Sequence, residues 1–179
     1  MRKSDIATLF DYLYWMRDRI LEPATKVSPV VFNSPSNVTS RNLRGTLVHE
    51  MDVEWSWRER LRGSSSDAWG PEGELNPSDF PSVAAVAEHW RRDEKEMRDW
   101  LDGLTDKELS SPAKADGLGD FPLWFYLMHV VSHGIQQLSD AATLLSESGQ
   151  SPGDLEFLGY ADSLSQKAAA SRQGQEDAS

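Results

Sequence analysis

Two histidines four residues apart, His129 and His133, sit inside the apolar run LWFYLMHVVSHGIQQLSDAATLL, and Gln137 follows four residues later. On a helix this spacing puts the side chains on one side, about 6 Å apart along the axis. Neutral imidazole is the commonest metal ligand. Two such rings can hold one ion at about 2.0–2.1 Å, and the pattern becomes informative when a third ligand arrives from another element. His49, in the stretch LVHEM, can face the same interior from an earlier helix. The competing reading is a pair of packed histidines with local hydrogen-bond partners, which is how His89 in AEHWRRDEKE is read. Ser132 lies beside the pair, but the spacing places no histidine base for it, so a serine nucleophile is not indicated.

Composition limits the chemistry further. A net charge of −11, from 29 acidic and 18 basic residues, argues against a nucleic-acid partner, because phosphate binding needs a basic surface that displaces counterions. The absence of cysteine excludes disulfides, thiolate metal ligands and a cysteine nucleophile. The N-terminal stretch MRKSDIATLFDYLYWMRDRI carries aspartates and arginines through its apolar run, unlike a secretory signal. No segment approaches the roughly 20 apolar residues that span a bilayer. The expectation is a cytoplasmic protein, with one domain over residues 1–160 and a polar, partly disordered tail over 161–179.

Four amphipathic segments must position the histidines. The first, SDIATLFDYLYWMRDRILEPA, has Ser4 as its expected N-cap and stops before Pro23. A connection rich in Pro, Ser and Asn follows, in which PVVF is a candidate short strand. The second helix, RNLRGTLVHEMDVEWSWRERLRG, is expected to be capped by Thr39 or Ser40 and to stop at Gly63. It has Leu43, Leu47, Met51, Glu54 and Arg58 on one side, while Glu50 and Asp52 read as a solvated face. After a polar connection over residues 63–81 comes the third helix, SVAAVAEHWRRDEKEMRDWLDGL, then a capping box in TDKEL. The fourth helix is expected from Asp120, with Pro122 in its first turn, to Gly149. The tryptophans at 15, 55, 57, 90, 100 and 124 fit core or interface positions. The expected fold class is all-α, a four-helix bundle with long connections, where sites form from inward-projecting side chains.

These pieces, in this order, carry a resemblance. GTLVHEMDVEWSWRERLRG is similar to a family pattern of Leu-x-His, an acidic residue, a tryptophan and an Arg-Leu-x-Gly ending. LMHVVSHGIQQ resembles a His-Val-x-Asn-His-Gly-Thr-x-His-Arg segment, and SESGQSPGDLEFLGY resembles the run that often follows it. Over nearly its whole length the chain resembles the DinB superfamily, the DinB/YfiT-like metalloenzymes.

The resemblance implies a four-helix bundle, often a homodimer, with a divalent metal held by one histidine of the second helix and two of the fourth. Carried over, the ligand positions fall on His49, His133 and Gln137. The third position thus holds an amide where the family has an imidazole; Ser132 replaces the family asparagine and Leu138 the family arginine. Glu54 falls on the family's acidic position and is the candidate for orienting a ligand.

Three arrangements remain open. Gln137 supplies a carbonyl oxygen, a poorer partner than imidazole for zinc or nickel. Alternatively His129 replaces it, with the ion one turn earlier, or the metal has been lost. The implied activity is a thiol-dependent S-transferase, with a low-molecular-weight thiol as cosubstrate, or a metal-dependent hydrolase acting on a small-molecule substrate. The alternative is a non-catalytic ligand-binding or dimerisation protein.

Overall fold

The first apolar stripe folds, in the computed structural model of residues 1–176, as helix α1, Lys3–Ala24. The side chains at 68, 171, 172 and 174–176 are excepted from the description. α1 begins earlier than Ser4, with Arg2 as the N-cap residue, because the Asp5 side chain reaches back to the Arg2 backbone N–H at 2.9 Å. It also continues through Pro23 in its last turn, where the missing N–H costs a single intrahelical bond, that to the Arg19 carbonyl. The candidate strand at PVVF is instead a short helix, α2, Pro29–Asn33. Pro29 pre-sets the first-turn backbone, and the Ser28 side chain accepts from the Val31 N–H at 3.2 Å.

Helix α3, Leu43–Arg62, is capped by Asn42 rather than Thr39 or Ser40; the Asn42 Oδ1 accepts from the Gly45 N–H at 2.8 Å. It stops as expected at Gly63, whose φ of 84° suits a residue without a Cβ. A short helix α4, Ser66–Trp69, and a 3-10 turn at Pro77–Asp79 interrupt the following connection. Helix α5, Val83–Gly103, is capped by Ser82, and α6, Asp106–Ser110, carries the Thr105/Glu108 capping box. Helix α7, Leu123–Glu147, starts three residues later than the sequence suggests. Residues 120–122 run extended beside 111–113, where the Ala113 N–H donates to the Phe121 carbonyl at 3.1 Å and the Leu123 N–H to that of Ser111 at 2.9 Å. Helix α8, Phe157–Glu176, covers most of the expected tail; residues 177–179 lie outside the described residues.

The fold is all-α, and among the described residues there is no strand. α7 packs against both α1 and α3, and α5 packs against the same two, so four long helices share one core. Phe10, Leu13, Ile20, Leu47, Met51, Trp90, Met97, Leu127, Val130 and Leu138 are completely buried in it. Each such side chain contributes roughly 1.5–3 kcal/mol through removal from water. Buried ion pairs fix the register around the core. Arg17 of α1 meets Glu94 of α5 at 2.6 Å, and Arg58 of α3 meets Asp93 of α5 at 2.6 Å. α8 attaches to α1 through Tyr160, whose ring lies 5.8 Å from those of Tyr12 and Trp15.

Candidate functional site

α3 and α7 pack directly on one another, and their contact brings His49 and His133 together with ring centroids 5.1 Å apart and planes at 70°. Two imidazoles bound tetrahedrally to one ion through bonds of about 2.0–2.1 Å have centroids about 5 Å apart, so this pair has the separation that shared coordination requires.

The Nδ1 of His133 and the Oε2 of Glu50 share a proton across 2.6 Å. Glu50 is completely buried and the His133 side chain is 17 % exposed. Burial pushes the Glu50 carboxyl well above the ordinary range, which favours the proton on the carboxyl. A cation at Nε2 of His133 would reverse that preference, so that Nδ1 donates to a carboxylate, the usual arrangement behind a metal-bound histidine. Among the described residues the Oε1 of Glu50 has no hydrogen-bond partner. Gly134 makes the approach of the helices possible: a Cβ there would stand 2.5 Å from Glu50 Oε1 and 2.6 Å from Leu13 Cδ1.

The reading of Glu50 and Asp52 as a solvated face is overturned, since both are buried. Glu50 belongs to the core stripe with Leu43, Leu47, Glu54, Arg58 and Leu61, a three- and four-residue spacing that was present in the sequence. Asp52 accepts the Leu75 N–H at 2.8 Å, holding the connection after α4 against α3. Glu54 lies one turn beyond Glu50, with its carboxyl bound by Tyr14 Oη at 2.5 Å and Trp90 Nε1 at 3.1 Å. The hydrogen bond to a histidine comes from Glu50.

His129 is exposed. Each step of four residues turns about 40° around the helix, so a line from His129 to Gln137 cannot face one point throughout. The His129 ring lies 6.3 Å from His133 and edge-on to Trp57 at 5.0 Å. Gln137 is half-buried, one turn after His133 on α7. His89 packs edge-on against Phe80 at 5.3 Å, and the Ser132 hydroxyl donates to the Met128 carbonyl at 2.7 Å.

Burial, the Arg41 charge and His133 together lower His49 to about 4. Burial first and Arg41 second also lower His133. Both rings are therefore neutral at pH 7, the form that offers lone pairs to a metal. Among the described residues no three His, Cys, Asp or Glu side chains form a group able to hold an ion. Two imidazoles with Glu50 behind one of them and an amide one turn away fit an open, weak site.

Residues 1–173 match the family model described as the DinB family. No curated protein matches the chain. Among the described residues no helix is long and apolar enough to cross a membrane.

Proposed function

The chain belongs to the DinB family, and on that premise we propose that it is a cytoplasmic metal-dependent enzyme whose zinc or nickel ion is held by His49, His133 and the Gln137 amide oxygen. The observation that carries this reading is the Glu50–His133 pair: a fully buried carboxyl on Nδ1 fixes the imidazole and leaves Nε2 as the nitrogen for a ligand, with the His49 ring 5.1 Å away. The bound ion would lower the pKa of a water for hydrolysis of a small molecule, or stabilise the thiolate of a low-molecular-weight thiol for S-transfer. His49 and His133 bind as neutral rings, Glu50 holds the Nδ1 proton, and Gln137 completes the set with a weaker donor. His129 is the alternative third ligand and would need to turn away from Trp57. A homodimer belongs to the same reading, supported by the exposed Phe121 and Phe125 beside Trp124.

A second reading, a ligand-binding or dimerisation protein without metal, is favoured by one observation: the third position offers neither an imidazole nor a carboxylate. Metal content of tag-free protein after zinc or nickel loading separates the two. The metalloenzyme reading predicts near-stoichiometric metal, lost in both His49→Ala and His133→Ala. No uptake by the parent protein would overturn it.

A further inference from the structure

Two arginines beside the imidazole pair lack an anionic partner. Among the described residues the Arg41 and Arg44 guanidinium groups make no ion pair and no hydrogen bond, in a chain with 29 acidic residues against 18 basic. The Nε of Arg44 is buried with no acceptor, a costly state for a charged donor. Both side chains line a cleft of about 350 Å3 together with His49, Asp52, Glu74 and Leu75.

The cleft is built by the fold. Its floor is the first turns of α3, with no acidic residue in the first turn, so the positive end of the helix dipole is not neutralised there. Its wall is the segment that Asp52 holds through the Leu75 N–H, a bond that engages Asp52 Oδ1. Arg41 is close enough to lower the pKa of both His49 and His133. An anion bound there lies next to the candidate reaction centre.

We infer that this cleft binds a carboxylate-bearing small molecule, with Arg41 and Arg44 holding the carboxylate and the rest of the molecule directed toward His49 and His133. Guanidinium forks match the planar carboxylate, and the volume suits a small metabolite. Glu74, exposed on the rim, and Asp52, buried in the lining, are two acidic groups set against the two arginines, so the fit is to a single carboxylate with a neutral or cationic remainder and not to a polyanion. The inference names the substrate class for the activity proposed above; it rests on that reading for the chemistry but not for the binding.

The test uses metal-free full-length protein at constant ionic strength, with propionate as probe, propionamide as its uncharged control and sulfate as a polyanion. Propionate should shift the His49 imidazole and Gly45 amide NMR signals saturably, while propionamide does not. Arg41→Gln/Arg44→Gln should weaken propionate binding about tenfold or more, and Glu74→Gln should strengthen it a few-fold. Absence of saturable shifts, equal shifts with propionamide, undiminished binding in the double variant, weaker binding in Glu74→Gln, or tighter binding of sulfate would each overturn the inference. Because no metal is present, failure of zinc uptake leaves this result unaffected, and failure here leaves the metal reading standing.

Discussion

Glu50 and Glu54 are the same residue type, one turn apart on α3, and both are completely buried. Glu54 looks into α1 and α5, where Tyr14 and Trp90 satisfy both of its oxygens. The Arg17 guanidinium lies 4.9 Å from the Tyr14 ring and 5.7 Å from that of Trp90, completing a polar cluster that joins three helices. Glu50 looks into α7, where one oxygen meets His133 and the other has no hydrogen-bond partner among the described residues. A fully satisfied buried carboxyl specifies packing, whereas one with an open oxygen and an imidazole partner retains unused capacity beside a cleft. The difference lies in what faces each glutamate, not in the residue itself.

Removing Glu54 should give the largest effect. Glu54→Ala leaves a buried phenol and a buried indole N–H without acceptors and opens a void. A loss of about 3 kcal/mol in unfolding free energy is expected by urea denaturation at pH 7. A loss below about 1 kcal/mol would mean the cluster does not hold α1, α3 and α5 together.

A smaller effect is expected from pH. Burial is the largest influence on Glu54 and raises its carboxyl from 4.5 to about 8. The folded state thus keeps a proton that the unfolded state releases near 4.5. Stability from this group is complete below about 4.5 and is lost as pH rises through about 8. Glu54→Gln should remove that part of the decline, so the parent and the variant should diverge in slope between pH 5 and 8. Parallel stability curves would show that Glu54 ionises in the fold as it does in the unfolded chain.

Much of the architecture was legible because helical periodicity and caps are local. Gly63 and the Thr105/Glu108 box perform the roles their sequence positions suggest. The Asn42 cap was harder to read, since Thr39, Ser40 and Asn42 are all suitable acceptors and only the path of the preceding chain chooses among them. The pairing of His49 with His133 could be anticipated from the resemblance, but the role of Glu50 could not. A charged residue next to a histidine ordinarily belongs to water, and the α7 face that buries this one is 83 residues away in sequence. Gly134 was visible only as part of a motif; its reason is the space that Glu50 and Leu13 occupy across the helix contact.

The most direct test of this account compares zinc affinity in Glu50→Gln and Glu54→Gln, two near-isosteric changes on the same helix, by titration at pH 7. The account predicts that Glu50→Gln weakens zinc binding about 10–100-fold, because His133 loses the carboxylate that fixes and polarises it, while Glu54→Gln leaves the affinity unchanged. Equal affinities in the parent and Glu50→Gln, or a loss of the same size in both variants, would contradict it.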